Sequence, residues 1–202
     1  MKASDPKPFS DQLEDWLKSR SNKTLDGLEQ VFQDKSFAIT FLMLMVFPAL
    51  PLPTGGVTHV FELIVMLLCL EMMAGRKTPW LPKKWKHMHL GKTLTGRVIP
   101  TMMRWIRRLE RYSSPRGQKL LNLPLAPRLV GLMIFILTLA AFLAPPFSGL
   151  DTLPSLGVVI ISLGLILEDF LMLLVGLVVG TIGVVLDVAL GAAIVESSRR
   201  FF

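Results

Sequence analysis

Six acidic residues stand in or beside apolar stretches, where an ionised carboxylate is costly. Glu62 lies one turn into the apolar run 59–74 and Glu71 near its end. Asp151 falls in a Pro/Gly-rich break, Glu168 and Asp169 close the run 155–167, and Asp187 sits inside the last run. Two chemistries suit such residues. One is an ion or proton path, or a site for a polar substrate, with Glu62, Asp151 and Asp187 as its carriers. The other implies no function: Glu71, Glu168 and Asp169 stand near segment ends and reach the interface with water. Glu62 and Asp187 are deeper, and for them both readings stay open.

The breaks themselves are a second candidate. Pro51, Pro53, Gly55 and Gly56 interrupt the first pair of apolar runs, and Pro145, Pro146, Gly149 and Pro154 the second. Unwound backbone in a membrane is tolerated where protein or water satisfies it, and broken helices aim their N-termini at anionic groups. The same residues also turn a hairpin with no ligand involved. A third feature surrounds Asp187. Gly176, Gly180, Gly183, Asp187 and Gly191 step by three or four and so share one helix face. Such a face is a packing seam, within the chain or between two copies, the latter making a homodimer. An Asp187 buried on that seam needs a donor from its neighbour.

Other chemistry is excluded residue by residue. His87 and His89 lie in a Lys-rich stretch with no third ligand, where nearby cations repel a metal. Cys69 is the one cysteine, so no disulfide forms within the chain. There is no nucleophile elbow, no phosphate-binding glycine loop and no catalytic carboxylate pair in a polar region. No enzyme, cofactor or metal is therefore expected.

The elements that hold these residues follow from composition. The chain has 202 residues, 51% of them hydrophobic, with a mean hydropathy of +0.53. That apolar surface is concentrated in residues 37–50, 59–74, 129–144, 155–167 and 170–195, and lipid is its natural solvent. The first runs are short, roughly 21 and 24 Å as helix against a hydrocarbon core of roughly 30 Å. Each hairpin is therefore spanning or re-entrant. The last run is long enough to span with tilt. The N-terminus MKASDPKPFSDQLEDW has no apolar h-region, so insertion is expected to use the internal runs.

Charge gives the orientation. Residues 1–36 are nearly balanced, with six Lys/Arg and seven Asp/Glu. Residues 75–128 carry fourteen Lys/Arg against one acid, Glu110. With no nucleic-acid motif beside it, this stretch reads as a cytoplasmic loop held against anionic lipid rather than nucleic acid. Two polar segments are amphipathic. Residues 1–36 form two short helices that Ser10 and Thr24 can cap, and 97–112 puts Ile99, Met102, Met103, Ile106 and Leu109 opposite Arg104, Arg107, Arg108 and Arg111. The latter pattern suits a helix lying in the interface. An amphipathic segment followed by a broken hairpin thus occurs twice, as two degenerate copies of one unit. If each hairpin returns to its starting side, the two copies run parallel.

Several motifs carry a resemblance. They are Leu50-Pro-Leu-Pro-Thr-Gly55, then Gly75-Arg76-Lys77-Thr78-Pro79-Trp80-Leu81-Pro82, Arg107-Arg108-Leu109-Glu110, Pro145-Pro-Phe-Ser-Gly149 and Leu163-Gly-Leu-Ile-Leu-Glu168-Asp169. Over about residues 10–195 the chain resembles the ExoD family of bacterial exopolysaccharide-synthesis proteins. Gly75, Arg76, Pro79, Trp80, Glu168 and Asp169 belong to that likeness, while Phe170 stands where a glycine is usual. The resemblance implies an inner-membrane protein linked to exopolysaccharide production.

The expected architecture is all-α and polytopic. Residues 1–96 form unit one with hairpin 37–74. Residues 97–169 form unit two with hairpin 129–168, and 170–202 a C-terminal membrane helix. The expected function is support of exopolysaccharide synthesis or export, by transporting an ion or small solute. The alternative is a non-transporting scaffold of a polysaccharide-producing complex.

Overall fold

A computed structural model of the chain describes residues 9–19, 35–50, 57–80, 99–110, 121, 123–145 and 149–201. Among them are seven α-helices and no strand: α1 (Phe9–Lys18), α2 (Ser36–Met45), α3 (Val57–Met73), α4 (Ile99–Glu110), α5 (Ala126–Leu143), α6 (Thr152–Leu167) and α7 (Phe170–Phe201). The predicted helix capped by Thr24, the breaks at Pro51, Pro53, Gly55, Gly56 and Pro146, and the His87–His89 pair lie outside the described residues, as do the surroundings of Gly191.

Prolines set most of the boundaries. α2 stops at Met45 and passes into a turn over 46–49, short of the expected Leu50, because Pro48 cannot continue the helical ladder. α5 ends at Leu143, and Ala144 is extended at φ −61° and ψ 138°, the conformation that the following Pro145 imposes. Pro154 acts the other way. It was expected in the second break, yet it is the third residue of α6, which begins at Thr152. A proline in the first helical turn lacks an N–H that would have no partner anyway. Pro127 starts α5 in the same way.

Helices α6 and α7 form a close antiparallel pair. A Cβ on Gly157 would fall 2.5 Å from Gly180 Cα, one on Gly176 2.6 Å from the Ile161 nitrogen, and one on Gly183 2.7 Å from the Pro154 nitrogen. The seam of Gly176, Gly180 and Gly183 is therefore filled from within the chain, by α6 and by Leu137 of α5. Helices α3 and α5 are antiparallel too. Gly131 lies against Cys69 and Met73, and at the other end the His59 and Phe142 rings are 5.4 Å apart. α2 returns along α3, with Phe47 stacked on Phe61 at 5.6 Å, and packs on α6. Phe41, Met45, Val65, Ile134, Val158 and Ile161 fill the space between.

These pairings give the bundle two distinct ends. The ends of α2 and α5 meet the starts of α3 and α6 at the break end. The starts of α2, α5 and α7 meet the ends of α3 and α6 at the other. The two amphipathic helices pack on each other. The Ser10 N–H donates to Glu110 Oε1 at 3.0 Å and its hydroxyl donates to Oε2. Arg107 pairs with Asp11 at 3.4 Å and with Glu14. A hydrogen bond from Lys18, then the charge of Arg107, hold the Glu14 carboxyl below its ordinary 4.5. Ser10, expected as a cap, is instead the second residue of α1 and serves Glu110.

The outer faces are apolar. Val60, Leu63, Leu67 and Leu70 of α3, Leu129, Leu132 and Ile136 of α5, and Leu171, Leu174, Val178 and Ile182 of α7 are all exposed. Ala126–Leu143 and Phe170–Leu190 are each long and apolar enough to cross a membrane.

Candidate functional site

The break end collects polar groups inside the bundle while leucines face outward. The first two turns of α3 bring Thr58, His59 and Glu62, since residues three and four apart share a helix face. Glu62 is 0% exposed. His59 Nδ1 lies 3.0 Å from Glu62 Oε2, but the two are not aligned as a hydrogen bond. Among the described residues neither Glu62 oxygen has a hydrogen-bond donor.

Asp151 occupies the N-cap position of α6, a place where aspartate normally bonds the helix's own N–H groups. Its side chain makes no such bond. It accepts hydrogen bonds from its own backbone N–H and from Thr58 instead and lies within Coulombic reach of His59, Glu62 and Asp187. The glycine seam explains the last of these. Gly164 meets Leu173, Gly176 meets Ile161, Gly180 meets Gly157 and Gly183 meets Pro154. One further turn along both helices brings Asp187 opposite Asp151. Asp187 Oδ2 is buried and has no hydrogen-bond partner among the described residues.

Two hydroxyls complete the cluster. Thr138 and Ser155 are 0% exposed, and among the described residues neither hydroxyl is hydrogen-bonded. The α3–α5 register sets Thr138 at the level of Glu62, and Ser155 lies one turn beyond Asp151. Other helical hydroxyls behave differently. Ser162 donates to the Val158 carbonyl at 2.8 Å and Thr181 to that of Leu177 at 2.7 Å, the ordinary way for a helix to absorb a hydroxyl.

The structure thus brings Glu62, Asp151 and Asp187 together from three helices. The sequence reading missed His59, Thr138 and Ser155. The spacing of His59, three residues before Glu62, was a usable signal. The two hydroxyls had none, since their position depends on how the helices pack. A buried carboxyl without a donor costs several kcal/mol unless a proton or cation satisfies it. Among the described residues no three His, Cys, Asp or Glu side chains converge closely enough to hold a metal ion. Carboxyls, an imidazole and hydroxyls strung out in this way suit a proton that moves between them better than a chelated metal.

The remaining acids have structural duties. Gly75, at φ +86°, ends α3. Its N–H bonds the Met72 carbonyl and that of Arg76 the Glu71 carbonyl, both at 3.1 Å, a Schellman closure that needs a left-handed residue at this position. The Glu71 carboxylate accepts the Trp80 N–H at 2.7 Å and lies 3.8 Å from Arg76. Pro79 falls in the non-helical chain between them. Glu168 closes α6 at φ 56° and pairs with Lys35 at 3.0 Å. Asp169 caps α7, its Oδ1 accepting the N–H groups of Leu171 at 3.0 Å and Met172 at 3.4 Å.

The family whose model matches residues 9–189 is described as exopolysaccharide synthesis, ExoD. An uncharacterized protein of Synechocystis (slr1875) is 26% identical over 197 residues, covering 96% of this chain and 89% of the relative. Protein ExoD of Rhizobium meliloti is 28% identical over 172 residues, covering 81% of this chain and 69% of the relative. No solved structure matches.

Proposed function

The chain belongs to the ExoD family of exopolysaccharide-synthesis proteins, and from that premise we propose that it is a multi-pass protein of the bacterial inner membrane that carries protons through the cluster at the break end, in support of polysaccharide synthesis or export. One observation carries the reading: among the described residues the fully buried Glu62 has no hydrogen-bond donor, while the outer faces of the same helices are leucine and valine. A water-soluble bundle has the opposite arrangement. Apolar patches on soluble monomers rarely exceed a few hundred Å², and stripes on three helices here run the length of the bundle. Arg76, Lys77 and Arg128 lie at the end away from the cluster, which supports a cytoplasmic side there under the positive-inside rule. The cluster then opens toward the other face of the membrane.

The test is proton flux. Purified protein in vesicles loaded with a pH-sensitive dye should acidify them under an imposed potential. Glu62→Gln, which keeps the volume and removes the titrating group, should slow that flux at least tenfold. Wild-type vesicles no leakier than empty ones would overturn the transport reading, and recovery of the protein from the soluble fraction would overturn the membrane one.

A further inference from the structure

At the opposite end of the bundle we infer a binding site for one anionic amphiphile, a molecule with a phosphate or phosphodiester headgroup and a hydrocarbon tail. The site is a cavity of about 440 Å³ between the start of α2, the end of α3, the start of α5 and the end of α6. That volume lies within the range of small-ligand pockets. Lys35, Arg76, Lys77 and Arg128 line it, against one acid, Glu168. The four cations come from three separate stretches of sequence, and the fold brings them to one rim.

The cations are not equally committed. Lys35 donates to the Ile166 carbonyl at 2.7 Å and pairs with Glu168 at 3.0 Å. Arg76 lies 3.8 Å from Glu71. Among the described residues Lys77 and Arg128 have no acidic partner. Among the described residues two charges on the rim thus have no acidic partner, and a guanidinium and an ammonium on one rim suit phosphate oxygens.

The floor is of the opposite character. Phe37, Met72 and Val130 close the cavity beneath the cations, and a bare inorganic anion gains nothing from them. The position agrees with this division. Leu70 and Leu129, the first residues of two outward apolar stripes, stand at this level, and Trp80 is 62% exposed nearby, as tryptophan is where a membrane meets water. Basic pockets between membrane helices at such a level hold acidic lipid headgroups. The inference rests on the membrane part of the reading above and not on proton movement.

Native mass spectrometry of the protein in detergent tests it. The ligands are phosphatidylglycerol, phosphatidylcholine of the same chain length, and inorganic phosphate. One phosphatidylglycerol should bind per chain at least tenfold more tightly than either of the others. The double variant Lys77→Gln/Arg128→Gln should lose that tenfold, while Arg128→Lys alone keeps most of it. Both residues are exposed, so the variants should melt as the wild type does. Equal binding of phosphatidylcholine, or undiminished binding by the double variant, overturns the site. Inorganic phosphate binding as tightly as the lipid overturns the amphiphile in favour of a soluble anion. Proton flux in the double variant should match the wild type, so this site and the break-end cluster fail or stand separately.

Discussion

The two ends of this bundle treat their acids in opposite ways. At the basic end every described acid has a nearby partner. Glu71 holds the Trp80 N–H and lies near Arg76, Glu168 holds Lys35, Asp169 caps α7, and beside Phe9, whose ring lies 5.9 Å from Lys35 Nζ, Glu110 takes both donors of Ser10. At the break end the described residues give Glu62, Asp151 and Asp187 less: the His59 ring stands beside Glu62, Asp151 accepts from its own backbone N–H and from the Thr58 hydroxyl, and Asp187 Oδ2 has no described donor. The inequality is informative because both ends are made of the same helices. A sequence able to cap a helix with Asp169 could have capped α6 with Asp151, and the side chain turns to Thr58 instead. Acids that close helices need no other purpose. Acids left short of donors inside the bundle cost stability, and a fold keeps such a cost where the groups serve something besides the fold.

The sharpest way to break the comparison is Glu62→Leu. Replacing an uncompensated buried carboxyl by an apolar side chain of similar size should stabilise the bundle by about 1–3 kcal/mol, seen as a higher melting temperature in detergent. Proton flux should fall at least tenfold in the same protein. A variant that melts lower than wild type would mean that Glu62 has a structural partner after all, and the two ends would no longer differ in kind.

A smaller effect is expected at the basic end. Asp169→Ala removes the two capping bonds at the start of α7 and should cost about 1 kcal/mol, a drop of roughly 2–4 °C in melting temperature for a chain of this size. Flux should be unchanged beyond the fraction unfolded. Loss of flux in folded Asp169→Ala protein would carry the functional acids to the wrong end of the molecule.

The comparison also shows which parts of the molecule were legible in advance. The apolar runs, their interruption and the two amphipathic segments follow from hydrophobic spacing, which a helix converts directly into faces. Glu62, Asp151 and Asp187 were legible for a related reason: a charge in an apolar run is conspicuous in one dimension. What they share was not. Asp187 meets Asp151 through a glycine register between α6 and α7, and Thr138 reaches the level of Glu62 through the pairing of α3 with α5. Register of that kind is a property of packed surfaces. Pro154 shows the limit of a local rule, since a proline breaks a helix in its interior and starts one in its first turn. The basic end reads in sequence as a charged face. Its cavity does not, since Lys35 reaches that rim from another segment of the chain.

Glu168 offers the finest test. It is the one described non-glycine residue at positive φ, where an L side chain costs about 1 kcal/mol relative to glycine. Against this stands its pair with Lys35, in which the Glu168 side chain is 39% exposed, and a pair that exposed contributes about 0–1 kcal/mol. Glu168→Gly should therefore leave stability within about 0.5 kcal/mol of the wild type, as a relieved backbone offsets a lost ion pair. Lys35→Gln measures the pair alone, and the double variant gives the coupling. If Glu168→Gly instead melts clearly lower than wild type and the coupling is large, the pair is tighter than its exposure implies. Lys35 would then be tied to the end of α6, and the cavity's attraction for an anion would rest on Lys77 and Arg128.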